Sequence, residues 1–144
     1  MTKTATGIPA PAVLVADDEQ PIRRIACRIL ERGGYRVMEA SNGAEAIALF
    51  HDTHLDLLMA DLEMPGLAGN EMARRLRAIR PDLKVLFVTG YVDKLFKEQP
   101  VLWEDEAFLE KPFTSSGLLE AVALLLYGTL TPPTPNLTSL TVPA

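Results

Sequence analysis

Five short runs along the chain have the composition of strands, and the stretches between most of them carry hydrophobic residues at helical spacing. The strand-type runs are Ala12–Ala16, Arg36–Glu39, Leu55–Ala60, Lys84–Val88 and Ala107–Leu109. Several are apolar without alternation, the pattern of a strand covered on both faces. Ile22, Ile25, Ala26, Ile29 and Leu30 fall on one helical stripe, which Pro21 opens and Gly33-Gly34 stops. Ala44–Phe50 reads as a second helix behind Asn42, with Glu45 at capping-box distance. Asn70 is expected to cap a third helix through Arg80, which Pro81 ends. Thr114 is expected to cap a last helix carrying Leu118, Leu119, Val122, Leu125 and Leu126. The stretch between the fourth and fifth runs gives the weakest helical signal, because Pro100 interrupts it. This alternation predicts a single-domain α/β sandwich: a five-stranded parallel sheet with helices on both faces.

Composition sharpens the boundaries. Of eleven prolines, six lie outside residues 12–127. From Gly128 to Ala144 there is no charged residue, and Thr and Pro supply nine of seventeen positions. Such a segment buries too little apolar surface to offset its chain entropy. The expectation is a flexible segment over 1–11, a folded domain over 12–127 and a flexible tail over 128–144, with no effector domain after Tyr127. The 14 basic and 19 acidic residues give a net charge of −5, so nucleic acid and anionic membranes are poor partners. The longest apolar stretch, Leu118 to Tyr127, is far too short to span a bilayer. The lone Cys27 forms no internal disulfide, and it reads as inert core. Together these features point to the cytoplasm.

In an open parallel sheet, ligands bind beyond the carboxyl ends of the strands. The predicted strands put Asp17-Asp18, Asp61, Thr89 and Lys111 at that edge. Like charges so close resist joint ionisation unless a cation neutralises them. An all-oxygen set suits Mg²⁺ or Mn²⁺. A carboxylate, a hydroxyl and an amine beside such a cation make a phosphoryl-handling arrangement, in which an aspartate can be the nucleophile.

Four strings carry a resemblance: Val13-Leu14-Val15-Ala16-Asp17-Asp18-Glu19, Met59-Ala60-Asp61-Leu62-Glu63-Met64-Pro65-Gly66, Leu86-Phe87-Val88-Thr89-Gly90-Tyr91 and Phe108-Leu109-Glu110-Lys111-Pro112-Phe113. In this order and separation they resemble the receiver domain of two-component response regulators, stand-alone and CheY-like. They are also similar to receivers of hybrid histidine kinases. The resemblance covers 12–127 and implies a doubly wound, flavodoxin-like sheet of order 2-1-3-4-5. It implies that Asp61 accepts a phosphoryl group from a histidine kinase or a histidine phosphotransfer protein. Asp18 would bind Mg²⁺ directly and Asp17 partly through water, with Asp61 and the Glu63 backbone carbonyl completing the site. Lys111 would pair with the phosphoryl group, the Lys111–Pro112 bond would be cis, and Thr89 and Phe108 would act as the switch pair. Tyr91 and Trp103 are candidates for the surface that meets a downstream protein. Such a chain is a signalling receiver rather than an enzyme on an external substrate.

Glu63, two residues beyond Asp61, is an acid at a position that varies across the resembled family, and its charge is expected to oppose phosphorylation or alter how water reaches the site. Gly90 is expected to leave the site open. A haloacid-dehalogenase-type phosphatase is disfavoured, since its nucleophile would follow the first strand and a downstream acidic pair is missing. A receiver-fold scaffold independent of phosphorylation is the alternative. His51 and His54 have no third ligand nearby in sequence and read as a solvated helix end. Arg74, Arg75, Arg77 and Arg80 read as a solvated, salt-bridged face.

Overall fold

A computed structural model describes residues 10–90 and 105–128. The Pro100-interrupted stretch, Tyr91, Trp103, and residues 1–9 and 129–144 of the flanking segments lie outside the described residues. The chain runs β1 (Ala12–Ala16), α1 (Gln20–Arg32), β2 (Arg36–Ala40), α2 (Gly43–Asp52), β3 (Leu57–Asp61), α3 (Gly69–Ile79), β4 (Lys84–Thr89), β5 (Glu106–Glu110) and α4 (Ser115–Tyr127). All pairings are parallel, and the strand order is β2-β1-β3-β4-β5.

Period-two alternation sorts the core into two layers. Leu14, Leu58, Val85 and Phe87 point to one face, where Ala46 and Phe50 of α2 and Met72, Ala73 and Leu76 of α3 cover them. Val13, Val15, Leu57, Met59, Leu86 and Val88 point to the other, against Ala26, Cys27 and Leu30 of α1 and Leu118 and Val122 of α4. The central strands are thus buried on both sides, which is why β1 and β3 read as continuous apolar runs.

Local chemistry sets most helix ends. The Asn42 side chain accepts the Glu45 N–H, while the Glu45 carboxylate reaches back to the Ser41 N–H and hydroxyl. The expected capping box is therefore present, displaced outward by one residue on its return arm. The Thr114 hydroxyl caps α4 by accepting the Gly117 N–H at 2.9 Å. Gly128, with φ 75°, closes the same helix in the left-handed conformation. Helix α3 differs from expectation. It starts at Gly69 behind Ala68, and Asn70 lies in the first turn, where its Oδ1 meets the Glu71 N–H. The cause is tertiary: a Cβ on Gly69 would sit 2.5 Å from the Asp61 carbonyl oxygen, so the first turn abuts the end of β3. Strand β3 also begins at Leu57 rather than Leu55, because Asp56 is engaged otherwise. Its carboxylate accepts the Ala12 N–H at 2.8 Å, and its own N–H donates to the Ala12 carbonyl.

Candidate functional site

The carboxyl ends of four strands meet at one edge. Asp17 follows β1, Asp61 ends β3, Thr89 ends β4 and Lys111 follows β5. Asp17 and Asp61 are each 3% exposed and Thr89 is 1% exposed, so three polar side chains are buried where the apolar layers stop. The Lys111 ammonium is the common partner of three carboxylates: it lies 3.1 Å from Asp61 Oδ2, 3.3 Å from Asp17 Oδ2 and 3.0 Å from Glu19 Oε1. Backbone donors fix the carboxylates further. The Glu19 N–H donates to Asp17 Oδ1 at 2.9 Å, and the Glu63 N–H donates to Asp61 Oδ1 at 3.0 Å. The Asp17 carbonyl accepts from Arg23, which also pairs with Glu39. An open cleft of about 400 Å³ leads to this edge, lined by Asp18, Glu19, Asp61, Glu63, Gly90 and Lys111.

The electrostatics follow from burial. Burial pushes the Asp17 carboxyl up to about 6; the Glu19 N–H and Lys111 oppose the rise, and the Asp61 charge adds to it. Burial works against the Lys111 ammonium, but its hydrogen bonds to Glu19 and Asp61 and the charges of Asp17 and Asp61 outweigh that. Its pKa is held above the ordinary lysine value. One carboxylate is thus uncomfortable as an anion while Lys111, the cation bonded to it among the described residues, stays firmly charged.

The structure brings Asp17, Asp61, Thr89 and Lys111 to one edge as their strand positions require. Carboxylate oxygens of Asp17, Glu19 and Asp61 approach within 4.8 Å of one another, close enough to share a metal ion. Asp18 is exposed and lines the cleft beside this trio. Glu19 was not singled out from sequence, because three consecutive acids give no indication of which turn inward. The Glu63 carboxylate faces the end of β4, accepting the Thr89 hydroxyl at 2.6 Å, with the Gly90 N–H 3.4 Å away. The Lys111–Pro112 peptide bond is cis. Phe108 is half-buried, paired across the strands with Phe87, and their rings stack with centroids 5.4 Å apart. Among the described residues, a Cβ on Gly90 would meet nothing within 4 Å. The histidines stay apart from the acid trio: His51 is exposed on the last turn of α2, and His54 pairs with Asp56 at 3.2 Å. Of the four arginines expected on a solvated face, Arg74 and Arg75 are exposed and pair with Glu71, and Arg80, just past α3, pairs with Asp82. Arg77 departs from that expectation, its side chain 11% exposed because it is drawn in to Glu106.

Comparison with known proteins agrees with this geometry. The chain is 34% identical over 114 residues to the response regulator receiver protein CpdR of Brucella abortus, a match covering 79% of this chain and 95% of that protein. It is also 34% identical over 116 residues to the sensor kinase CckA of the same organism, covering 79% of this chain but 12% of the kinase. The response regulator TrrA of Thermotoga maritima, solved in complex with Mg²⁺-BeF, superposes with a TM-score of 0.71 at 35% identity. That superposition covers 81% of this chain and 99% of TrrA. The family model for the response regulator receiver domain matches residues 13–123. With that match and the four strand-end residues in place, the chain belongs to the response regulator receiver family.

Proposed function

We propose that Asp61 accepts a phosphoryl group from a phosphohistidine of a histidine kinase or phosphotransfer protein, and that the phosphorylated domain signals through protein–protein contact. The observation that carries this reading is the gathering of Asp17, Glu19 and Asp61 on the single ammonium of Lys111. Among the described residues, three carboxylates against one cation leave the edge short of positive charge. The donor set is all oxygen, with Asp17 and Asp61 buried, which fits a hard divalent ion such as Mg²⁺, or Mn²⁺ in its place. Asp17 and Asp61 would hold the ion, Asp18 and the Glu63 carbonyl follow from the family motif, and Glu19 is added by its position beside them. When bound, the ion supplies the positive charge that lets a phosphoryl dianion approach this edge.

The residues of the chain do the rest. An Asp61 oxygen attacks phosphorus as the P–N bond to the donor imidazole breaks. The electron pair of that bond goes to the imidazole, which leaves as a neutral ring when its other nitrogen carries a proton. Lys111, already 3.1 Å from Asp61, balances the equatorial oxygens, and Thr89 donates its hydroxyl to one of them. Phe108, stacked on Phe87 beside the end of β4, moves with Thr89 and alters the surface a partner meets. Tyr91 and Trp103 are assigned to that surface. Residues 12–127 form the receiver unit with 1–11 and 128–144 as its flanks, and the cytoplasm is its compartment. The chemistry is confined to the chain's own phosphorylation and dephosphorylation.

Incubation with phosphoramidate and Mg²⁺ should add one phosphoryl group, about 80 Da by intact mass. The gain should vanish in Asp61→Asn and in EDTA. Failure with both phosphoramidate and phosphorylated histidine donors would overturn the proposal in favour of a phosphorylation-independent scaffold.

A further inference from the structure

Glu63 touches the acceptor and the switch at once. Its backbone N–H donates to Asp61 Oδ1, and its carboxylate accepts the Thr89 hydroxyl at 2.6 Å. A hydroxyl has one proton to donate, so Thr89 cannot give it to Glu63 and to a phosphoryl oxygen together. The contact is short and charge-assisted, and Thr89 is 1% exposed, so water offers little substitute. Glu63 itself is exposed, so its carboxylate has solvent to turn to once it lets go.

We propose that Glu63 is a positioning residue that competes with the phosphoryl group for the Thr89 proton, holding Thr89 in its unphosphorylated setting until charge on Asp61 expels the Glu63 carboxylate. The inference rests on Asp61 being the acceptor. A phosphoryl group brings close to two negative charges beside an anion two residues along the chain. Repulsion in the cleft drives the Glu63 carboxylate towards water and releases the hydroxyl. The coupling is reciprocal: whatever free energy holds Thr89 to Glu63 is subtracted from the affinity of the site for the phosphoryl group. Glu63 therefore lowers signalling by the unphosphorylated protein and weakens retention of the phosphoryl state by the same factor.

The test has an unliganded arm and a liganded arm. In the first, the Thr89 χ1 rotamer is read from three-bond NMR couplings of its methyl carbon. The expected result is one fixed rotamer in the wild type, a changed rotamer population in Glu63→Ala, and an intermediate result in Glu63→Gln, which keeps an acceptor without the charge. In the second arm, beryllofluoride with Mg²⁺ serves as the phosphoryl mimic. Glu63→Ala should bind it roughly tenfold more tightly, the scale of one charge-assisted hydrogen bond. In a Thr89→Ala background that gain should shrink to less than about threefold, because the two residues are coupled. An unchanged, single Thr89 rotamer in Glu63→Ala would overturn the proposal. So would a full tenfold gain without Thr89, which would make Glu63 a source of repulsion alone. A wild type that binds no beryllofluoride would sink the acceptor reading, while the unliganded arm still decides the competition.

Discussion

At the amino end of β4 and β5, Arg77 meets Glu106 at 2.7 Å and Lys84 meets Asp105, so each cation has its own carboxylate. At the carboxyl end of the same sheet, Lys111 is, among the described residues, the one cation that serves Asp17, Glu19 and Asp61. The first arrangement closes on itself: Arg77 also donates to the Leu83 and Asp105 carbonyls, tying α3 to the start of β5. The second leaves carboxylates over, and the Asp17 pKa is raised there first by burial and further by the neighbouring Asp61 charge. Charge balance within a fold serves stability, whereas a buried excess of one sign is tolerable where a ligand of the other sign is to come. The two ends of one sheet thus separate folding from function.

Breaking the balanced end should have the largest effect. Arg77→Met leaves Glu106, whose side chain is 9% exposed, with an uncompensated charge, and should cost about 3 kcal/mol in a urea melt. A loss under about 1 kcal/mol would mean that this pair is no structural lock, and the contrast would fail.

Relieving the unbalanced end should work in the opposite direction. Asp17→Asn mimics the protonated acid and keeps an acceptor for the Glu19 N–H. Because the folded Asp17 pKa is raised from 3.8 to about 6, the native state holds this proton more tightly than the unfolded chain. The stabilisation from that proton is complete below 3.8 and is lost as pH rises through about 6. Without Mg²⁺, the variant should therefore match the wild type at the acid end of this window. It should exceed the wild type by on the order of 2 kcal/mol at neutral pH. Mg²⁺ should raise the melting temperature of the wild type and leave that of the variant nearly unchanged. A variant less stable than the wild type at pH 7 would show that Asp17 is not in excess.

The smallest effect should come from the solvated face of α3. Glu71 pairs with Arg74 and Arg75, which are 76% and 58% exposed at their side chains. Glu71→Ala should shift stability by less than about 0.5 kcal/mol, because water screens exposed pairs. A larger loss would blur the distinction between paired charges that hold the fold and paired charges that decorate it.

What the sequence made legible divides along the same physical line. The five strands and four of the helices were legible because burial on two faces leaves continuous apolar runs and helices leave stripes. The caps at Asn42 and Thr114 were legible because they are local chemistry. The start of α3 was not: the contact of Gly69 with the Asp61 backbone is set by packing between distant elements, which the local polarity of Asn70 does not report. Asp17, Asp61, Thr89 and Lys111 could be placed at one edge because strand ends in a parallel sheet converge. The Glu19 contact with Lys111 and the reach of Glu63 to Thr89 could not, since both depend on which way a side chain turns after its strand has ended.

The proposed role of Asp61 as phosphoryl acceptor ties the charge excess at the carboxyl edge to an acyl phosphate that can be trapped. The most direct measurement is borohydride trapping of the phosphoramidate-treated protein in Mg²⁺, followed by peptide mass mapping. Borohydride reduces an aspartyl phosphate to homoserine, so homoserine is expected at position 61 and nowhere else. Homoserine at Asp17 or Asp18, or a label that resists borohydride, would contradict it.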